Sequence, residues 1–272
     1  ASKGGTGDIP PNWIASSAPV VEEIASSDVC FSIRDSNNRM TCFGENGFGN
    51  NTIIENIVPN TMIGNSYCFA AINSTDLRVI SWGHSKCNED IISLQKNDNI
   101  GPYSLIAATD AAFAALRSNG SVFFWGGSSD GTITMFDWSV YSRIAPSAAN
   151  NLPITKIYSN SNAFVTSTDN GDLVSYGLES YGGQTSGLSG TSMAPSGPGY
   201  THVISTLNSF LAYGLTVKAA VWGDSTNGGN PLTMPPELQT DIGKVCACVC
   251  VSLPLFFMPV WLYNVIFLIE KQ

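Results

Sequence analysis

Five times along the chain a phenylalanine is followed, twelve or thirteen residues later, by an aromatic residue and a glycine. The pairs are Phe31 with Phe43-Gly44, Phe69 with Trp82-Gly83, Phe113 with Trp125-Gly126, Phe164 with Tyr176-Gly177, and Phe210 with Trp222-Gly223. The offsets are 12, 13, 12, 12 and 12, and an apolar residue stands seven positions before each Phe: Ile24, Met62, Ile106, Ile157 and Val203. Successive second aromatics are 39, 43, 51 and 46 residues apart. Fixed spacing within a unit and variable spacing between units describe one supersecondary element, copied with loops of different length.

The best-preserved copy, Ile106 to Gly126, shows what the element is. Ala112 to Leu116 and Ser121 to Trp125 read as strands. Between them Asn119-Gly120 offers the positive φ that a tight hairpin needs. The other copies turn at Ser36-Asn37-Asn38, Thr75-Asp76, Asn170-Gly171 and Gly214-Leu215-Thr216. Each unit reads as a short apolar strand, a Ser/Asn-rich bend, the Phe strand, a turn, the aromatic-Gly strand and a Gly-rich loop. Composition agrees. Charged residues are 12%, against roughly 25% in an average domain, and 26 Gly and 14 Pro suit turns rather than long amphipathic helices.

Several strands per unit at this period predict an all-β chain, a β-propeller of about five to seven blades, with a closed or an incomplete ring as the alternatives. Little helix is expected outside the C-terminal tail. The repeats occupy residues 14–242, in units near 14–49, 53–90, 99–136, 150–190 and 196–236, after an extension over 1–13. One unit cannot bury both its faces, whereas blades packed around an axis can. The Phe and the aromatic are expected between blades, and the glycine where a Cβ would block the backbone.

At these residues the chain resembles the regulator of chromosome condensation family of seven-bladed propellers. Ser121-Val122-Phe123-Phe124-Trp125-Gly126 and Ala219-Ala220-Val221-Trp222-Gly223 look most like the family's Val-x-x-Trp-Gly strand and Gly loop. The likeness covers roughly residues 14 to 242 and departs from the family in two places. The family's Gly-x-x-His before the second strand is replaced by stretches without His, such as Ser26-Ser27-Asp28-Val29-Cys30 and Ala108-Thr109-Asp110-Ala111-Ala112. Its Gly-Gln-Leu-Gly loop survives at best as Gly183-Gln184-Thr185. The resemblance implies a divergent branch, to which the nucleotide-exchange activity of the founding member does not carry over.

The tail, 243–272, abandons the repeat. Val245 to Ile269 is 25 residues without a charge, long enough to span a bilayer of about 30 Å. Two readings stand beside each other: a C-terminal membrane anchor, or translated intron. Gly243-Lys244 can encode a splice donor and Lys271-Gln272 an acceptor, with Cys246-Ala247-Cys248-Val249-Cys250 as a GT-rich tract. Ala1 to Asp8 has no apolar core, so no secretory signal is expected, and a soluble intracellular location is expected unless 245–269 is a real anchor.

Chemistry is sparse. With 21 acidic and 12 scattered basic residues, a net charge of −9, nucleic acid is a poor ligand and a basic protein surface a better one. The seven cysteines lack zinc spacing and read as buried thiols, with Cys30 and Cys42 flanking one hairpin. His84 and His202 have no partner at ligand or triad spacing. No nucleophile elbow or phosphate-binding loop is present. Asp28, Asp110, Asp130, Asp169 and Asp224 fall in turns, where Asp caps the backbone. The expectation is a non-catalytic protein-binding scaffold without cofactor or metal. Its contacts are sought where the copies differ, in the loops after the aromatic-Gly: Glu45, Asn46, Phe48, His84, Asp130, Tyr181 and Asp224. The alternatives are a propeller enzyme with an axial active site, and guanine-nucleotide exchange on a small GTPase.

Overall fold

The twelve-residue offset is a hairpin register. In a computed structural model that describes residues 20–44, 54–83, 101–126, 152–183, 194–215 and 217–236, each Phe lies directly opposite its aromatic partner on an antiparallel pair. Arg117 N–H bonds Ser121 O and Gly120 N–H bonds Arg117 O, closing a three-residue loop with Gly120 at φ 80°. Counting outward from Arg117–Ser121 by one pair at a time reaches Phe113 opposite Trp125. Asn119 does not take positive φ. Its side-chain oxygen instead accepts from Ser121 N–H at 3.0 Å. The same loop recurs at Asp35–Arg39, with Asn38 at φ 57°, and at Thr168–Asp172, with Gly171 at φ 84°. In the second unit the closing pair is Asn73–Arg78, one residue longer, with Leu77 at φ 55°. That extra loop residue is why its offset is 13.

Among the described residues, fifteen strands form five three-stranded antiparallel sheets. The first holds β1 (Val21–Ser26), β2 (Cys30–Asp35) and β3 (Met40–Gly44). The second holds β4 (Ile63–Gly64), β5 (Cys68–Ile72) and β6 (Val79–Gly83). Next come β7 (Tyr103–Ala108), β8 (Ala112–Arg117) and β9 (Val122–Gly126). The fourth holds β10 (Ile154–Ser159), β11 (Ala163–Thr168) and β12 (Leu173–Gly177). The last holds β13 (His202–Ser205), β14 (Ser209–Tyr213) and β15 (Ala220–Gly223). Helix among the described residues is limited to two short 3₁₀ turns, Glu179–Tyr181 and Pro231–Thr233.

Because side chains alternate across a strand, each sheet has two faces, and in the three inner sheets each face is buried against a different neighbour. One face carries the Phe, the aromatic and the apolar residue seven positions earlier. Phe113, Trp125 and Ile106 pack on Ala70, Ile72 and Val79 of the preceding sheet. The other face of that same sheet, Ala114, Leu116, Val122 and Phe124, meets Phe164, Tyr176 and Ile157 of the next. The seams before and after repeat the arrangement around Phe69 with Trp82 and Phe210 with Trp222. Within the pairs, rings stack: Phe69–Trp82 at 5.7 Å and 12°, Phe113–Trp125 at 5.2 Å and 21°, Phe210–Trp222 at 5.5 Å and 25°.

The first strands of successive sheets, β1, β4, β7, β10 and β13, lie side by side in that order. The bends that follow them are joined by one backbone ladder. Asp28 N–H bonds Ser66 O (3.3 Å), Ser66 N–H bonds Asp110 O (3.0 Å), Asp110 N–H bonds Ser161 O (2.9 Å), and Ser161 N–H bonds Leu207 O (3.2 Å). Sheets packed face to face and linked at their inner strands around a common axis are the blades of a β-propeller.

The first blade differs from the rest. Its Ile24 is 66% exposed and its Phe31 49% exposed, although the equivalent residues of the other blades are buried. No apolar cluster joins β13–β15 to β1–β3 among the described residues. The carbonyl of Asp28 and the N–H of Leu207, at the two ends of the ladder, have no backbone partner there either. The first blade also holds two buried, ion-paired side chains. Arg34 is buried and pairs with Glu22 and Glu23 at 3.0 and 2.8 Å, while buried Asp35 pairs with Arg39 at 2.7 Å and caps the β2–β3 loop through Asn37 and Arg39 N–H.

Cys30 and Cys42 are buried thiols in the first seam, set in different pairs of the β2–β3 register. The expectation of thiols throughout fails at Cys68, which is disulfide-bonded. The 243–272 tail also lies outside them, and among the described residues no helix is long and apolar enough to cross a membrane.

Candidate functional site

Four residues before each Phe stands a small polar residue: Ser27, Asn65, Thr109, Asn160 and Thr206. Each turns the chain from the first strand of its blade into the second by accepting N–H bonds from residues two or three further on. Asn65 Oδ1 accepts from Tyr67 and Cys68 at 3.0 and 2.8 Å, Asn160 Oδ1 from Asn162 and Ala163 at 3.0 and 2.8 Å, and Ser27 Oγ from Cys30 at 3.0 Å. With the turn held by that residue, the next one faces the axis and joins the ladder. Those residues are Asp28, Ser66, Asp110, Ser161 and Leu207.

The five bends enclose a polar depression of about 490 Å³ at one end of the axis, lined from every blade. That volume lies within the range of small-ligand and side-chain pockets, roughly 300–1,000 Å³. Among the described residues its charged lining is Asp28 and Asp110, with no basic side chain. The expectation that these two aspartates cap their own turns is not met. Ser27 and Thr109 do the capping, and both carboxylates are left open to the depression. Asp110 is solvent-accessible yet walled by protein. That partial desolvation, with the nearby Asp28 charge second, raises its pKa. The Ser161 hydroxyl acts in the opposite direction, close to the carboxylate but short of full hydrogen-bond geometry.

The sign of the resulting pH dependence is fixed. A carboxylate whose folded pKa lies above its unfolded value stabilises the fold below the unfolded value, and that contribution is lost as pH rises through the folded pKa. Asp110→Asn is therefore expected to raise Tm at pH 7 relative to wild type, with the gain shrinking as pH falls toward 3.8, the ordinary value for the group. Thermal melts across this window check it. A Tm loss at pH 7 would contradict it.

Strand direction places the loops after the aromatic-Gly at the same end. Asn160 Nδ2 donates to Tyr181 O at 2.7 Å, tying bend to loop in the fourth blade. In the fifth, Ser209 Oγ donates to Asn227 O at 2.9 Å. Trp222 Nε1 reaches back to Gly182 O at 3.1 Å, so the fourth blade's loop is anchored by the fifth blade's aromatic. Of the loop residues singled out in the sequence, Tyr181 and Asp224 are therefore on this rim. Tyr181 packs half-buried against the last seam. Asp224 accepts from Thr226 N–H, Thr226 Oγ1 and Asn227 Nδ2 at 2.8, 2.7 and 2.6 Å, bonds that hold its carboxyl at about 2 although it is open to solvent. Glu45, Asn46, Phe48, His84 and Asp130 lie outside the described residues. His202 sits on an exposed strand, stacked on Tyr213 at 4.8 Å and 4°. Among the described residues no three His, Cys, Asp or Glu gather as a metal site.

Fold and site together define a β-propeller with a polar, acidic axial end. No protein-family model and no curated protein matches the chain. Solved structures similar to it include propeller proteins, all at low identity. The C-terminal domain of gp131 from bacteriophage phiKZ is 13% identical, with a TM-score of 0.48 over 83% of this chain and 73% of that one. The CRINKLY WD40 ectodomain of the Arabidopsis thaliana receptor kinase ACR4 is 13% identical, with 0.47 over 86% and 73%. Prp20p of Saccharomyces cerevisiae is 17% identical, with 0.45 over 79% and 60%. At these identities the likenesses assign no function.

Proposed function

We propose that the chain is a non-catalytic protein-binding scaffold built on repeats of the regulator of chromosome condensation type, with the axial end as its docking face. The observation that carries this reading is convergence. Five bends and the adjoining loops project from sheets packed at four seams onto one polar end. A rigid frame bearing variable loops is the arrangement on which binding sites are built. The partner is a protein, and Tyr181 and Asp224 belong to the rim that would meet it.

Photocrosslinking tests the face. p-Benzoylphenylalanine in place of Asn162, at the axial end, is expected to give protein adducts in the native host, whereas the same group in place of Ser118, in the opposite loops, is not. Adducts at Ser118 alone would move the docking face to the other end. A second reading has one observation on its side. Asp110, its carboxyl pushed up by burial and then by the neighbouring Asp28 charge, has the character of a general acid, as an axial enzyme requires. Turnover of a substrate by wild type, abolished in Asp110→Asn, would replace the scaffold reading. No residue of the sequence matches a motif for nucleotide exchange, and a flat nucleotide-release assay across small GTPases is the expected result.

A further inference from the structure

Three stretches of the chain have the form Asn-x-Ser/Thr with x other than Pro: Asn50-Asn51-Thr52, Asn73-Ser74-Thr75 and Asn119-Gly120-Ser121. Asn50 lies outside the described residues. The other two fall at one place in the repeat, the loop between the second and third strands of the second and third blades. In the third blade β8 runs from its bend to this loop over six residues, roughly 20 Å at about 3.3 Å per residue. Both motifs therefore sit at the end of the propeller away from the axial depression, and none of their residues lines it.

The two loops are built alike. In each, the asparagine oxygen accepts from the backbone of the third motif residue: Asn73 Oδ1 from Thr75 N–H at 2.7 Å, Asn119 Oδ1 from Ser121 N–H at 3.0 Å. The Ser121 hydroxyl adds a second bond to Asn119 Oδ1 at 2.7 Å. The amide oxygen is thus committed to the turn, and the amide nitrogen is left over. Neither Nδ2 donates a hydrogen bond among the described residues. Asn119 is exposed, and Asn73 is half-buried with its Nδ2 open to solvent. The loops are also fixed by their neighbours, through Ser74 N–H to Asn56 O, Tyr103 N–H to Leu77 O and Ser118 N–H to Pro102 O. Asn65 and Asn160 make the same turn at the axial end, yet their third residues are Tyr67 and Asn162, neither Ser nor Thr. A separate observation speaks to the compartment. Cys68 is disulfide-bonded, and disulfides persist in oxidising surroundings rather than in the cytosol. An exposed Asn-x-Ser/Thr loop in a protein of that compartment is an acceptor for sugar.

We infer that Asn73 and Asn119 carry N-linked oligosaccharides, added in an oxidising lumen, on the end of the propeller opposite the axial depression. In the reaction Nδ2 bonds to C1 of the first sugar of an oligosaccharide held on a lipid pyrophosphate. The C1–O bond breaks, the lipid pyrophosphate leaves with the electron pair, and Nδ2 gives up one proton. No oxidant or reductant takes part. The resulting glycans are bulky and solvated. They bar the hairpin end to partners and leave the axial rim clear. The intracellular location expected from Ala1 to Asp8 gives way to a lumenal or extracellular one. The inference stands apart from the scaffold reading and bears only on which end stays open.

The test is peptide mapping of the whole chain from its native host, deglycosylated by peptide-N-glycosidase in heavy-oxygen water. Heavy-oxygen label at Asn73 and Asn119 is the expected result. Unlabelled asparagine at both would overturn the inference. In a secretory cell line, Thr75→Ala and Ser121→Ala are each expected to remove one glycan, seen as a faster band, and Ser121→Thr to retain it. Bands are read in lysate and medium alike, so a chain that stays in the cell still reports. Unchanged mobility of both alanine variants would place any sugar elsewhere and sink the assignment. Cys68 of the native protein, unfolded in denaturant, is expected to resist alkylation until reduced. Alkylation without reduction would remove the lumenal location. Substrate turnover would refute the scaffold reading and leave the glycans untouched.

Discussion

Phe164→Ala is expected to cost about 3–5 kcal/mol, and Phe31→Ala, at the equivalent position of the first blade, only about 1 kcal/mol. Phe164 is fully buried and meets Phe124 at 5.3 Å across the seam, where Tyr176 also packs. Truncation there leaves a cavity between two sheets whose backbones are fixed by their own ladders and cannot collapse to fill it. Phe31 has the same register and the same aromatic partner, Phe43 at 5.8 Å, yet it is 49% exposed because no blade precedes it among the described residues. Paired chemical denaturation of the two variants measures the difference directly. An equal cost would mean that the Phe31 face is covered in solution, and would make the first blade an interior member of a ring.

Gly177→Ala is expected to cost about 3 kcal/mol, with Tm falling by roughly 5–10 °C. Two separate effects add. Gly177 has φ 117°, which an L side chain rarely adopts, and an added Cβ would lie 2.5 Å from Asn162 O and 2.8 Å from Ala163 Cα. Both obstacles are backbone of the paired strand, so relief requires the bend before β11 to move, and that bend carries Asn160 and Ser161 into the axial depression. Gly197→Ala separates the two terms. It has φ 101° and nothing within 4 Å of the added carbon, so it carries the dihedral cost alone, about 1 kcal/mol. Thermal melts of the pair check the ordering, and equal losses would show that the close approach contributes nothing.

What the sequence disclosed and what it hid have the same physical origin. Hairpin register is a local property, so a Phe and an aromatic at a fixed offset report it reliably. Even the odd offset of the second unit has a local cause, the extra residue between Asn73 and Arg78. The seams were legible because apolar side chains on both faces of a strand require two neighbours. The axial site was not. Ser27, Asn65, Thr109, Asn160 and Thr206 are ordinary turn residues taken singly, and the signal was their recurrence four residues before every Phe. Only the curvature of the array brings Asp28 and Asp110, 82 positions apart in the chain, to the same depression. The loops after the aromatic-Gly share an end of the molecule with these bends, but Tyr181 and Asp224, the described loop residues singled out, do not line the depression itself. The disulfide at Cys68 had no signature in the hairpin register, where the residue opposite it is Gly83.

The ladder through Asp28, Ser66, Asp110, Ser161 and Leu207 runs with one polarity, every N–H pointing toward the later blade. The array therefore has a head and a tail that are chemically unlike, a carbonyl at one and an amide at the other. Two heads cannot pair, nor can two tails, so a two-fold symmetric dimer cannot form through these edges. Whatever meets either edge by extending the ladder, whether another blade or another molecule, must do so head to tail, the geometry that yields a closed cycle or an open helix and nothing between.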